Sequence, residues 1–248
     1  MEPALFYSGL VAELYAMLRS SDPDPEPYAR FIARTGEPAL ELGCGDGDPL
    51  LELRRRGLDV EGLDSSADML ERCRARAGRE GLDVVLHHAA IETMQLGARY
   101  RSIFLAGPTF NLIIDDETAT RALDRIGQHL ATDGLALIPL FIPEPVAGDH
   151  LGRPKTRETG EGATVSFTVT SVRRDETRRL QSATLLYERV GAGSDATLER
   201  DWVLHWHTQA GFRALVARAG LQVRAVIGPD GRPVADDAQQ FVFIVGNG

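Results

Sequence analysis

The chain has 248 residues, 43% of them hydrophobic and 25% charged, with a net charge of -9. That length buries a full core, the composition is that of a folded rather than a disordered chain, and the acidic balance disfavours a broad phosphate-neutralising surface, so nucleic acid is not an expected partner. Apolar runs such as Leu135 to Ile142 fall far short of the ~20 residues of a membrane helix, and the start Met-Glu-Pro has no basic-then-apolar leader pattern; a cytoplasmic protein working away from membranes is expected.

Ala4 to Arg19 places Leu5, Leu10, Val11, Leu14, Tyr15 and Leu18 near helical spacing, and the prolines of Ser20 to Pro27 end that helix. A second helix from about Pro25 to Thr35 completes an N-terminal cover over 1–35. A strand over Ala39 to Leu42, a glycine loop and a helix over Asp48 to Arg56 follow. Leu58 to Leu63 is a second strand ending at Asp64, and Ser65 and Ser66 are suited to cap a helix over Ala67 to Gly78. Strands at Val84 to His88, Ser102 to Ala106 and Gly134 to Ile142, with a helix over Thr118 to Leu130, continue the rhythm. Alternation of this kind predicts right-handed crossovers and a mostly parallel sheet flanked by helices, an α/β fold.

After Pro145 the pattern changes. Val146 to Gly162 reads as a loop, and alternating stretches at Thr164 to Arg173, Arg179 to Glu188 and Arg200 to His207 predict an inserted antiparallel β meander over 143–207. The α/β pattern then resumes with a helix over Thr208 to Ala219 and strands over Gln222 to Ile227 and Gln240 to Val245. The α/β domain is thus expected to comprise 1–142 and 208–248. Cys44 and Cys73 have no metal-ligand spacing, so neither a metal site nor a disulfide framework is expected.

Three glycines in Gly43-Cys-Gly-Asp-Gly47 let the backbone turn sharply out of the first strand and approach a ligand closely. Asp64 lies about 20 residues on, at a strand end where a carboxylate can accept hydrogen bonds from both ribose hydroxyls of an adenosine cofactor. The two features together point to a nucleoside-containing ligand. They do not separate a nicotinamide cofactor from S-adenosylmethionine.

Ala39-Leu-Glu-Leu-Gly-Cys-Gly-Asp-Gly47, followed by Val60-Glu-Gly-Leu-Asp-Ser-Ser-Ala-Asp-Met-Leu70, resembles the first two motifs of class I S-adenosylmethionine-dependent methyltransferases. The spacing E-x-G-x-G-x-G departs from the dinucleotide fingerprint G-x-G-x-x-G. The resemblance implies a Rossmann-like sheet in which Gly43, Cys44 and Gly45 hold the methionine part of the cofactor. Asp64 would take the ribose with Ser65 beside it, and Met69 would pack on the adenine. Glu41 would orient the loop or receive the cofactor's ammonium through water. The family's usual acidic place near the adenine amino group falls on Ala90, which leaves a backbone contact through Ile91 or substitution by Glu92.

Leu105 to Leu112 is similar to the family's pocket-lining segment, which would put Ala106 and Gly107 near the reactive methyl and Phe110 and Asn111 toward the acceptor. Tyr7 and Tyr15 lie on the helical stretch that in related enzymes folds over the cofactor, and Tyr15 would contribute there. In Trp202-Val-Leu-His-Trp-His207, alternation sets His205 and His207 on one strand face; they and Tyr15 are candidate bases, with His207 also a candidate acceptor contact. The expected activity is methyl transfer to nitrogen or oxygen of a small metabolite by a monomer or homodimer. A nicotinamide-dependent oxidoreductase and a non-catalytic cofactor-binding protein are the alternatives.

Overall fold

The computed structural model describes residues 6–18, 24–145, 151–160, 162–191 and 195–248. Ala4, Leu5 and Arg19 of the expected first helix, Ser20 to Pro23, and parts of the expected loop and turn at 146–150, 161 and 192–194 lie outside them. Two sheets organise the rest. The larger comprises β1 (Ala39–Leu42), β2 (Val60–Asp64), β3 (Leu86–His88), β4 (Tyr100–Leu105), β5 (Leu130–Phe141), β10 (Leu221–Ile227) and β11 (Gln240–Asn247), in the order β10-β11-β5-β4-β1-β2-β3. β1 pairs parallel with both β2 and β4, whereas β11 pairs antiparallel with β5 and β10. The chain leaves β1 toward one edge and later returns on its other side at β4, which opens a crevice at their carboxyl ends, where ligands settle in open α/β sheets.

β1 is buried throughout, and its alternation feeds two cores. Leu40 and Leu42 join a core with Leu123 and Ile126 of α5 (Asp116–His129) and Phe212 of α6 (Gln209–Arg218). Ala39 joins Ile32 of α2 (Glu26–Thr35), Leu51 and Leu53 of α3 (Leu50–Arg55), and Leu70 and Cys73 of α4 (Ala67–Glu80). Of the two serines suited to capping α4, Ser66 does so, accepting from the Met69 amide at 3.2 Å, and the helix runs past Gly78 to a left-handed Gly81.

The smaller sheet has four antiparallel strands, β6 (Pro154–Glu158), β7 (Thr164–Asp175), β8 (Leu180–Val190) and β9 (Ala196–His205). The sequence predicts three. β6 is exposed at every residue, so it carries no apolar alternation and reads as part of a loop, yet it pairs with β7 through its backbone. α1 (Leu10–Leu18) packs on this sheet, with Val11 and Leu14 against Val165, Leu185 and Tyr187. Cover and lid therefore share one apolar core.

Asn111, expected to face the acceptor, instead joins the lid's two connections. Its side-chain amide donates to the carbonyls of Phe141 and His205, each at 2.9 Å, and its oxygen accepts from the Phe141 amide at 3.2 Å. Phe141 ends β5 and His205 ends β9, so one fully buried side chain ties the outgoing and returning strands together. Asn111→Ala leaves those backbone groups without a partner and is expected to destabilise the protein by about 3 kcal/mol, read from urea unfolding midpoints; a loss below about 1 kcal/mol contradicts the strut role.

Candidate active site

The loop after β1 is held from below and from the side. The amides of Gly43 and Cys44 both donate to the carbonyl of Leu63, at 2.7 and 3.0 Å. The Asp64 carboxylate accepts from the Gly45 amide and from the Ser66 amide, each at 2.8 Å. Gly43 and Gly45 have φ of +73° and +54°, and a Cβ on Gly43 would lie 2.6 Å from Thr109 Cγ2. A left-handed backbone and the absence of a side chain are both required there. Burial raises the Asp64 carboxyl above its ordinary range, opposed by the hydrogen bonds from Ser66 and Gly45.

Glu41, two residues before Gly43, is fully buried, and neither carboxylate oxygen has a hydrogen-bond partner among the described residues. Burial, followed by repulsion from Asp48, Asp64 and Asp46, pushes its carboxyl well above the usual range. An unpartnered acid in a central strand costs stability unless a ligand compensates it.

A cavity of about 690 Å³ opens over this loop, in the upper half of the ~300–1,000 Å³ range of ligand pockets. Its walls bring together Tyr15, Gly43, Cys44, Gly45, Asp64, Ser65, Met69, Ala90, Ile91, Glu92 and Ala106. Ala90 leads into a 3-10 turn over Ile91–Thr93, so that Ile91 and Glu92 both reach the wall. Tyr7 lines it too, its ring edge-on to that of Tyr15 with centroids 5.5 Å apart. The cover is tethered beside them, where the Gly9 amide donates to Asp68 at 2.6 Å.

Other expected site residues lie elsewhere. Glu41 and Gly107 are outside the lining; the Gly107 amide donates to the Tyr28 hydroxyl at 3.1 Å. Phe110 is fully buried edge-on to Phe212, with ring centroids 5.3 Å apart, so it fills the core instead of facing the acceptor, as does Asn111. β9 stops at His205, and His205 and His207 are both buried. Neither lines the cavity; both face Asp116 at the start of α5, each with a ring nitrogen 3.7 Å from Oδ1.

Thr109, Ile113, Asp115, Thr118 and Arg121 also line the wall without having been singled out by sequence. Their signal is a helix start. Asp115 caps α5 by accepting from the Thr118 amide at 2.7 Å, and an Asp-x-x-Thr pattern after the fourth strand falls at the sheet's carboxyl edge. Arg121, one turn on, pairs with Glu117 at 2.9 Å.

This sheet and this loop form an α/β fold with a cavity over the carboxyl ends of β1 and β2, suited to a nucleoside-containing cofactor. Residues 39–134 match the family model described as a methyltransferase domain. The chain is 29% identical over 243 residues, 93% of its own length and 91% of the relative's, to a dTDP-3-amino-3,6-dideoxy-alpha-D-glucopyranose N,N-dimethyltransferase of Streptomyces fradiae. Its fold is shared with the CcbJ methyltransferase of Streptomyces caelestis, at a TM-score of 0.76 and 21% identity over 96% of each chain. SAM-bound CalS10, an amino pentose methyltransferase of Micromonospora echinaspora, superposes at 0.69 with 22% identity over 98% of each chain. The chain carries a class I S-adenosylmethionine-dependent methyltransferase domain over residues 39–134.

The residues present fit that cofactor: a cradle closed to any Cβ at Gly43, a carboxylate at the end of β2, and an unpartnered buried acid behind the loop. Asp64→Asn keeps the size and removes the charge, and calorimetry is expected to show cofactor binding weakened roughly tenfold to a hundredfold, the ~1.5–3 kcal/mol of hydrogen bonds to a charged group; unchanged affinity contradicts the assignment. A raised folded pKa means that the folded protein binds the Glu41 proton more tightly than the unfolded chain, so this contribution to stability is complete below the ordinary 4.5 and is lost as pH rises toward the folded value. Without cofactor, Glu41→Gln is expected to melt higher than the wild type by a margin that grows from pH 5 to pH 8; a margin independent of pH contradicts the burial of an ionisable acid.

Proposed function

We propose that the acceptor atom is an amino nitrogen and that the acceptor is an amino sugar. The observation that carries this reading is that the Streptomyces fradiae relative, an N,N-dimethyltransferase of an aminodeoxy sugar, aligns over 93% of the chain, and so through the cover and lid as well as the shared sheet. The composition of the cavity wall supports it. Asp46 and Asp48 of the wall pair with Arg76, and Asp64, Glu92 and Asp115 line it against Arg121 among the described residues, a field that draws in a protonated amine.

Bound S-adenosylmethionine supplies an electrophilic methyl group on a sulfonium. The chain's part is binding, orientation and exclusion of water. Gly43 and Gly45 admit the ligand to the backbone, Asp64 holds a polar edge, and Tyr7 and Tyr15 form the wall on the side of the cover. Holding an amine in line with the methyl group is itself a large share of the acceleration. The amine must lose its proton before it attacks, and Glu92 and Tyr15 are the wall groups proposed to bind it in that step. His205 and His207, buried outside the cavity, are set aside as bases. We also place the protein in the cytoplasm, where its two unpaired buried cysteines are at home, as a monomer or homodimer acting without nucleic acid.

Incubation with S-adenosylmethionine and matched pairs of sugars, each bearing an amine or a hydroxyl at one carbon, tests the reading by mass spectrometry. The amino sugars are expected to gain one and then two methyl groups. Methylation of the hydroxyl partner instead, or of no amine while the cofactor binds, contradicts it.

A further inference from the structure

Outside the cavity, the structure gathers three metal-ligating side chains from distant parts of the chain. Asp116 opens α5, His205 ends β9, and His207 lies in the connection to α6. One ligand atom of each lies within 4.8 Å of the other two. Asp116 Oδ1 is 3.7 Å from His205 Nε2 and 3.7 Å from His207 Nδ1. Bonds of 2.0–2.1 Å in a tetrahedral zinc site separate neighbouring ligand atoms by about 3.3 Å, so the two oxygen–nitrogen separations need shorten only slightly.

The surroundings match what a ligand set requires. His205 Nδ1 lies 3.2 Å from the carbonyl of Ile113. A carbonyl can only accept, so Nδ1 carries the proton, and the Nε2 lone pair points at Asp116 in the arrangement that second-shell carbonyls impose on metal-bound histidines. Asp116 Oδ1, the oxygen that faces both imidazoles, is buried without a hydrogen-bond partner among the described residues, whereas buried polar atoms in folded proteins almost always have one. His207 is fully buried, and the Asp116 side chain, 40% exposed, leaves an approach from solvent.

Arg179 is the cation already beside the cluster. Its Nη2 donates to Asp116 Oδ2 at 2.5 Å, which orients the carboxylate and leaves Oδ1 free of it. Its Nη1 is 3.5 Å from His207 Nδ1, beyond the usual range of such bonds, so that lone pair is only loosely held. The guanidinium's charge lowers the affinity for a second cation without filling the site.

We propose that Asp116, His205 and His207 form a divalent-cation site, with zinc the best match to two imidazoles and one carboxylate. The ion clamps the return of the lid onto α5 and takes no part in methyl transfer. Spacing along the sequence does not reveal it, because the carboxylate lies about 90 residues from the imidazoles and the turn of the chain after β9 brings them together.

Zinc is titrated calorimetrically into untagged, chelator-treated wild-type protein, and Co2+ is added separately as an absorption probe. One equivalent of zinc is expected, with a visible Co2+ band of a low-coordinate nitrogen and oxygen site. Asp116→Asn and His205→Gln are expected to lose both signals while still binding S-adenosylmethionine, the control for an intact fold. Asp116 is part-exposed, so its variant carries the test whether or not the buried His205→Gln folds. Zinc binding by the wild type no greater than that of Asp116→Asn overturns the proposal, as does an unchanged Co2+ spectrum in Asp116→Asn.

Discussion

The site depends on one hydrogen bond across two strands, from the Gly45 amide to the carboxylate of Asp64. It joins the loop that leaves β1 to the end of β2 and so sets how far the glycine backbone stands off the sheet. The second oxygen of Asp64 holds the Ser66 amide at the start of α4; Ser66 Oγ caps that helix and donates to the carbonyl of Tyr7. One carboxylate thus fixes the loop, the helix start and, through Ser66, the end of the cover that closes over the cavity.

The same arrangement bears on a buried acid that finds no hydrogen-bond partner among the described residues. Glu41 and Asp64 lie on adjacent parallel strands, and Asp64, after burial and Asp48, raises the cost of ionising Glu41. In a protein selected for stability alone, Glu41 would be apolar. Its presence in the central strand is a local violation of the rules of core packing of the kind functional sites retain.

How much could be read from sequence followed from how local the constraint was. Gly43, Gly45 and Asp64 were legible because a left-handed turn after a buried strand and an acid at the next strand end are local demands that few other residues meet. Asn111 was not, since its partners Phe141 and His205 are 30 and 94 residues away and an asparagine in a loop after β4 looks the same whether it faces a ligand or braces two strands. The alternation that set His205 and His207 on a common face was sound as far as the strand went, but β9 ends at His205 and the chain then turns inward. β6 escaped notice because both of its faces are wet. The cover and the lid meet in their own core of Val11, Leu14, Val165 and Leu185, a pairing between segments some 150 residues apart that periodicity alone cannot show.

If the loop and Asp64 form a site for a sulfonium nucleoside, the protein takes S-adenosylmethionine and not every adenosine cofactor. Calorimetric titration of the wild-type protein with S-adenosylmethionine, and separately with oxidised and reduced nicotinamide dinucleotides, measures this directly. Saturable binding of S-adenosylmethionine at one site per chain, with no heat from either dinucleotide, is the expected result; saturable binding of a dinucleotide in place of S-adenosylmethionine contradicts it.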